Sequence, residues 1–393
     1  MANNKMAWVL GALTTTVISH QTLALEPDPN ETGFIPSVTV GEAYDDNVWR
    51  ARRGEVESWV TTVAPSLVFR AKDGLNLYQF KYDLLHNEVH SSKDDSHTDH
   101  DAKVLAHIEF TARHRLDFDV NYVNKTQERD SSNRLFNETG DELSTFDGGF
   151  VYGFGAKSAK GQVDIGLNMG QRRYDNNRNS GSFNRQNEFD RKGGSGAFYY
   201  RVGAKTRVLA EVIYIDYDYK SSTSLLSGDS KIYRVGVEWN ATAKTGGRVS
   251  FGRENRDYDA SSISGVSRPS WAASLRWQPR TYSTFALSSE SLIWEGGGTE
   301  TSTEVTATEL TWDHEWAKRW NSHIGYKFEN YDYQGSFNNN REDDVDTVSL
   351  GLNYKMRRWL EVNLFYEYSE TDSNNLFSEY DRNVLGMKIG MSF

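Results

Sequence analysis

The chain has 393 residues, 13% aromatic and 25% charged, with no cysteine and a formal net charge of −11. Lack of cysteine excludes disulfide scaffolds, thiolate metal sites and cysteine nucleophiles, and the acidic balance argues against nucleic acid as a partner, because phosphate neutralisation needs a basic face. Disorder is excluded by the aromatic content; a mean hydropathy of −0.69, with no long apolar run beyond the N-terminus, excludes a bundle of membrane-crossing helices.

Residues 1–24 carry one basic residue, Lys5, then an apolar stretch from Met6 through Ile18, then Thr22-Leu23-Ala24. A basic start, an apolar centre too short to span and small residues before a cut describe a secretory signal peptide, with cleavage expected after Ala24. Residues 25–33 read as a short periplasmic segment, and 34–393 as one β-barrel domain.

From Phe34 onward the dominant period is two. Tyr78, Phe80, Tyr82 and Leu84 alternate with Gln79, Lys81 and Asp83, and Leu116, Phe118, Val120 and Tyr122 with Asp117, Asp119 and Asn121. Val163 to Met169, Tyr233 to Trp239 and Val348 to Tyr354 repeat the pattern. Period two means strands with one apolar and one polar face. Alternation is weak in Leu209–Tyr219, where the sequence leaves the register open.

The connections alternate too. Short turns fall at Ala71–Gly74, Ala112–Arg115, Ser158–Gly161, Gly203–Thr206, Ala243–Gly246, Gln278–Arg280, Ala317–Arg319 and Met356–Arg358. Longer polar loops lie between them, among them Ser91–Asp99, Arg129–Asp141, Asn176–Asn184, Ser221–Gly228, Gly296–Thr301, Gly335–Arg341 and Thr371–Ser378. Eight short turns and nine long loops separate 18 strands, with roughly 40 residues per hairpin, and both chain ends fall on the short-turn side. The expected fold is all-β: a transmembrane antiparallel outer-membrane β-barrel with short periplasmic turns and longer extracellular loops. A propeller or a sandwich would need shorter, more closely spaced strands.

Aromatic residues gather near strand ends. Trp239, Trp277, Trp316, Trp320 and Trp359 sit beside short turns, whereas Tyr258, Trp294, Tyr331, Tyr333, Tyr366, Tyr368 and Tyr380 sit toward long loops. Both groups are expected to form belts at the headgroup level. The terminal strand, with Leu385, Met387, Ile389, Met391 and Phe393 alternating with Gly386, Lys388, Gly390 and Ser392, ends on an aromatic. It resembles the C-terminal signal by which outer-membrane barrels are recognised for assembly, which would assign that role to Ile389, Met391 and Phe393.

The first quarter of the chain carries a more specific likeness. Pro36 before Val38-Thr39-Val40, then Tyr44-Asp45-Asp46-Asn47-Val48, Val63-Ala64-Pro65-Ser66-Leu67 and Leu77 with Lys81-Tyr82 resemble the opening of the β-barrel porin-2 family. Afterward only the strand rhythm and the terminal aromatic match. The resemblance implies an outer-membrane barrel of a Gram-negative bacterium, often associated with exopolysaccharide synthesis and export. It brings no catalytic motif.

A search for chemistry finds little. Gly193-Gly194-Ser195-Gly196-Ala197 lacks the spacing of a nucleophile elbow, and Gly149, Gly153 and Gly155 are not followed by the lysine and helix of a phosphate-binding loop. His97-Thr98-Asp99-His100-Asp101, after Asp94-Asp95, offers nitrogen and oxygen ligands for a divalent cation, but reads more simply as a solvated extracellular loop. No enzyme activity, metal or cofactor is expected. Arg172-Arg173, Arg178, Arg185 and Arg191-Lys192 form a basic stretch able to meet lipopolysaccharide phosphates, though Asp175, Glu188 and Asp190 sit among them.

The polar face is the better place for function. In the register above, Lys81, Asp83, Asp117, Asp119, Asp164, Arg172, Arg234, Glu238, Arg276, Lys327, Glu329, Lys355, Glu361 and Lys388 are lumen-lining candidates. A lipid-facing arginine or lysine near the midplane costs about 2–4 kcal/mol, so these charges favour a wet or filled interior. Eighteen strands close to a backbone diameter of roughly 35 Å, wide enough for a sugar chain unless loops fold inward. The expected function is a passive conduit for secreted exopolysaccharide or its oligosaccharide fragments. A general diffusion porin for small solutes and a closed barrel acting as a surface structural or adhesion protein remain open at this stage. Expected partners are outer-membrane lipid and lipopolysaccharide, the barrel-assembly machinery, polysaccharide-export components, and a polysaccharide or small solute in the lumen.

Overall fold

The computed structural model describes residues 30–127, 139–178, 184–240, 244–295, 300–335 and 341–393. The expected signal peptide, and much of the loops expected at 129–141, 296–301 and 335–341, lie outside these residues.

Eighteen strands follow one another: β1 (Gly33–Asp45), β2 (Ser58–Asp73), β3 (Asn76–Val89), β4 (His97–Thr111), β5 (His114–Gln127), β6 (Asp141–Phe154), β7 (Gly161–Tyr174), β8 (Phe189–Gly203) and β9 (Thr206–Tyr219). The second half comprises β10 (Gly228–Trp239), β11 (Thr245–Tyr258), β12 (Val266–Arg280), β13 (Ser283–Glu295), β14 (Ser302–Ala317), β15 (Trp320–Gln334), β16 (Arg341–Arg357), β17 (Leu360–Ser373) and β18 (Tyr380–Ser392). Each pairs antiparallel with its chain neighbours, and β18 closes on β1 from Ser37↔Ser392 to Asp45↔Val384. Closure leaves no sheet edge for water or lipid to meet. The strands run 12 to 17 residues, more than the 9–11 that cross a hydrocarbon core, so their ends project into the headgroups and beyond.

Antiparallel pairing puts opposed residues on one face, and the rows sort cleanly. Phe69, Phe80 and Val104 are opposed in turn and are 50%, 39% and 40% exposed. Ile165, Leu167, Met169, Tyr233, Val235 and Phe251 continue this exposed apolar face. A band of this extent is unsustainable in water; with a polar inner face behind it, it is the lipid-facing wall of a membrane barrel. Asp73 to Asn76 turns through Gly74 at φ +59, a conformation open to glycine without strain. At several short turns the register shifts by a bulge, as between Glu109 and Thr111 and between Lys355 and Arg357, sharpening the local twist at the rim.

Three expectations change. His97–Asp101 is the first stretch of β4, not a loop; its alternation sends His97 and His100 to opposite faces, which separates them as ligands. Near the sixth short turn, β12 continues to Arg280. Of the aromatic residues near the long loops, Tyr366 and Tyr368 face outward, but Tyr258, Trp294, Tyr331, Tyr333 and Tyr380 occupy inward register positions. Position near a strand end gives height and not face; the face depends on parity, and these five line the extracellular mouth instead.

The wall has an irregular joint between β12 and β13. Pairing of β12 with β13 stops at Trp271↔Ser291, while Val266–Ser270 stays paired to β11 and the top of β13 to β14. Pro269 lies in this stretch and has no N–H to give. Glu254 of β11 reaches across, and the Ile293 N–H donates to its Oε2 at 3.0 Å. Ser270 Oγ donates to the Ser291 carbonyl at 3.2 Å.

Candidate functional site

The inner wall is unequal around its circumference. From β5 to β11 it is thick with long, mutually paired side chains. Arg115 of β5 pairs with Asp164 of β7 and donates to the Gly155 carbonyl at 3.1 Å. Its guanidinium lies flat over Gly153, where a Cβ would collide with it. Arg207 of β9 bridges Gln162 and Glu238, both at 2.6 Å, and stacks 4.1 Å from the Tyr199 ring centroid. Glu211 takes Arg248 and, at 3.3 Å, Arg234. Glu254 accepts from Ser230 Oγ at 2.7 Å as well as from Ile293. Above this network Phe189, Ile213, Ile215, Tyr217, Tyr219 and Ile232 form a buried apolar cluster, with Leu226 of the following loop packed on it. These inward apolar residues explain the weak alternation of Leu209–Tyr219: β9 is apolar on both faces.

From β15 through β18 to β2 the wall is thin along two rows, with the ion pairs Lys327–Glu329, Arg341–Asp343 and Arg382–Asp45 lying outside them. One inward row reads His323, Gly351, Phe365, Gly386, Ala43 and Val60. Phe365 lies down on Gly386, whose added Cβ would stand 2.6 Å from its ring, so even the aromatic projects little. The next row reads Asn321, Asn353, Asn363, Lys388, Gly41, Thr62, Asn87 and His97. Hydrogen-bond rows cross a tilted-strand barrel obliquely. This one begins beside the periplasmic turn before β15 and ends at the extracellular start of β4.

The register places every lumen candidate on the inner face, and the contacts divide them. Lys81 pairs with Asp83 at 3.0 Å, Lys327 with Glu329 at 2.8 Å, Asp117 with His107, Asp164 with Arg115, Arg234 with Glu211, and Glu238 with Arg207. These brace the wall. Arg172 stacks its guanidinium 4.8 Å from the Phe189 ring. Asp119, Arg276 and Lys355 join no ion pair among the described residues, and Glu361 accepts only from Asn353 Nδ2 at 3.2 Å. Lys388 rests its ammonium 4.2 Å from the Phe365 ring centroid, without a carboxylate partner among the described residues. The asparagine row was missed from the sequence because uncharged residues drew no weight there, although their period-two placement opposite Val348, Leu350, Leu352, Tyr354, Leu364 and Met387 was visible.

Of the basic stretch, Arg173 and Lys192 face outward, Arg172 and Arg191 inward, and Arg178 pairs with Glu188 at 3.0 Å. Among the described strand residues, the outward lysines and arginines of the extracellular half are Arg173, Lys192, Lys231 and Arg253, all on β7 to β11. Just above, the loop residue Lys220 sits between Asp190 and Asp218; their hydrogen bonds, Asp190 first, hold its ammonium pKa above the ordinary range. Ile389, Met391 and Phe393 all face outward; Phe393 is 74% exposed, and its N–H donates to the Pro36 carbonyl at 3.0 Å. Ser195 faces inward on β8, directly opposite Gly166 and Ile213. Among the described residues, no group of three or more histidine, aspartate or glutamate side chains is arranged to hold a metal ion.

Residues 33–393, the whole barrel, match the family described as "putative beta-barrel porin 2". The chain belongs to the β-barrel porin-2 family. No curated protein matches it. Among solved structures, this porin-family barrel is similar to OpdK of Pseudomonas aeruginosa, solved with vanillate, at 9% identity and a TM-score of 0.49, covering 92% of this chain and 99% of that one. It is similar also to OccAB4 of Acinetobacter baumannii (10% identity, 93% and 100% covered, TM-score 0.45) and to the siderophore receptor PirA of P. aeruginosa (12%, 94% and 81%, 0.45).

Proposed function

We propose that this outer-membrane barrel is a passive conduit for secreted exopolysaccharide or its oligosaccharide fragments. The observation that carries the reading is a pair of thin rows: from β15 to β2 they hold mostly glycine, alanine, valine, threonine and asparagine, with the ion pairs Lys327–Glu329, Arg341–Asp343 and Arg382–Asp45 lying outside them, while bulky paired charges crowd β5 to β11. That asymmetry keeps one side of the lumen clear for a chain and gives the other side rigidity. Family membership supports a porin, and a polar inner wall suits a hydrated solute. Lipopolysaccharide is the partner of the outer wall, its phosphates meeting the outward cations of β7 to β11. The barrel-assembly machinery is the partner during biogenesis, and a polysaccharide-export component would approach from the short-turn side. In a strain lacking the protein, high-molecular-mass polysaccharide should fall outside the cell and accumulate in the periplasm, with restoration by a plasmid copy. An unchanged distribution would remove the polymer role and leave a general diffusion porin, which single-channel conductance separates from a closed barrel.

A further inference from the structure

Two cavities among the described residues lie at opposite ends of the row that begins at Asn321. The periplasmic one, about 350 Å³, is lined by Asn321, Asn353 and Asn363 beside the His323–Asp313 pair. The extracellular one, about 140 Å³, is lined by Lys388, Thr62, Asn87 and His97 of the row, with Asp45, Asp95, Glu367 and Arg382 on its remaining sides. Seven of the row's eight side chains or glycine gaps are formally neutral at pH 7 with histidine counted neutral, and the carboxamide oxygens of Asn321 and Asn353 have no hydrogen-bond partner. Both oxygens are covered by neighbouring atoms, as are the unpaired carboxamide oxygens of Asn121 on β5 and Asn168 on β7, so what sets the row apart is its low fixed charge and not unpaired acceptors.

Resting on the conduit reading, we infer that this row is the track along which the solute moves, and that its ligand is a neutral, polyhydroxylated sugar chain. Amides and hydroxyls exchange both donors and acceptors with sugar hydroxyls. Within the row Thr62 Oγ1 donates to Asn87 Oδ1 at 2.7 Å and Asn87 Nδ2 lies 3.3 Å from His97 Nε2; such neutral bonds yield to a sugar hydroxyl at lower cost than the charge-assisted pairs of the β5 to β11 wall. Rungs spaced by the strand separation of about 4.8 Å come close to the length of one sugar unit. A chain can therefore trade one set of hydrogen bonds for the next at little net cost, as passage rather than capture requires. Phe365 adds an apolar surface next to the row for the C–H face of a ring. Lys388, the row's one fixed cation, tolerates an occasional anionic substituent without making the path anion-selective.

The test uses the full barrel in planar bilayers and, separately, in detergent. The probes are a neutral linear glucan hexasaccharide and a hexa-uronate of equal length. The neutral hexasaccharide should block the current and bind by calorimetry. Replacing Asn321, Asn353 and Asn363 together with alanine should raise its half-blocking concentration at least about ten-fold, the lower bound for three lost hydrogen bonds. The control S274A/S288A, on inward positions of β12 and β13 away from the row, should change it less than two-fold. Lys388→Gln should weaken block by the uronate more than block by the neutral chain. Equal block of wild type and the triple variant, both shown folded by heat-shifted gel mobility, overturns the track, as does stronger binding of the uronate than of the neutral chain. A folded barrel that conducts no current refutes the open conduit; the calorimetric comparison then still decides the track, with binding lost in the triple variant sustaining it and no binding overturning it.

Discussion

Removing Asp164 should destabilise this barrel more than its single charge suggests. The Arg115 and Asp164 side chains are 9% and 7% exposed, and the guanidinium is held against Gly153 with one further bond to the Gly155 carbonyl. In Asp164→Ala that guanidinium cannot swing into open lumen without leaving its glycine seat, so a buried cation remains largely unpaired. Breaking a buried pair from one side costs about 3–5 kcal/mol, or ~10²–10⁴ in the folding equilibrium. Replacing both partners with apolar residues of similar volume, Arg115→Met with Asp164→Leu, should return stability to within about 1 kcal/mol of wild type, because no charge is then stranded. Urea titration of refolding into lipid vesicles, followed by tryptophan fluorescence and gel mobility, reads all three proteins. The reasoning is refuted if Asp164→Ala costs less than about 1 kcal/mol, which would mean that water reaches the pair, or if the double variant is as unstable as the single one.

Deleting Phe393 should leave refolding stability in vesicles within about 0.5 kcal/mol of wild type, as for an exposed terminal residue, while reducing assembled barrel in cells; an equal cellular yield by heat-shifted mobility would deny the residue an assembly role. On the lipid face, Phe285 stacks between Trp277 and Trp312 with centroids 5.3 Å and 5.8 Å apart. Trp312→Ala should forfeit about 0.5–1.5 kcal/mol of coupling to Phe285 in a double-mutant cycle, and zero coupling would show that lipid chains replace the ring contact. Glu254→Ala should speed amide exchange at Ile293 at least ten-fold by uncovering its N–H, measured by mass spectrometry on peptides from β13; unchanged protection would mean that another acceptor takes over. Charge reversal of Lys192, Lys231 and Arg253 together should lower co-purified lipopolysaccharide, with the retained amount read by lipid A mass spectrometry. Equal retention would move that partner to another sector.

The strand count, the alternation of short and long connections and the inward parity of residues such as Lys81, Lys327 and Lys388 were legible in the sequence, because a barrel wall writes its two environments into every second residue. What stayed hidden depends on neighbours distant in sequence. That Glu254 finds a partner on β13, or that Arg115 finds one on β7, follows from register between strands and leaves no mark within either. The mouth aromatics show a different limit. Tyr331 and Tyr333 share a parity with Lys327 and Glu329, so their inward placement could be read by extending the charged alternation two steps. His97–Asp101 misled for the opposite reason: its polarity resembles a loop, yet β4 extends above the hydrocarbon, where neither face of a strand has to be apolar.

Lys388 of β18 and Gly41 of β1 face each other across the joint between the last strand and the first. The row they belong to is therefore contributed by both termini of the chain. A partly inserted barrel, its first and last strands still apart, has the braced β5 to β11 wall but only two disconnected halves of the row. Continuity from the periplasm to the exterior arises in the same step that closes the barrel. Under the proposed conduit, an unfinished molecule lacks the path, and the cell's permeability barrier does not have to tolerate working pores during assembly.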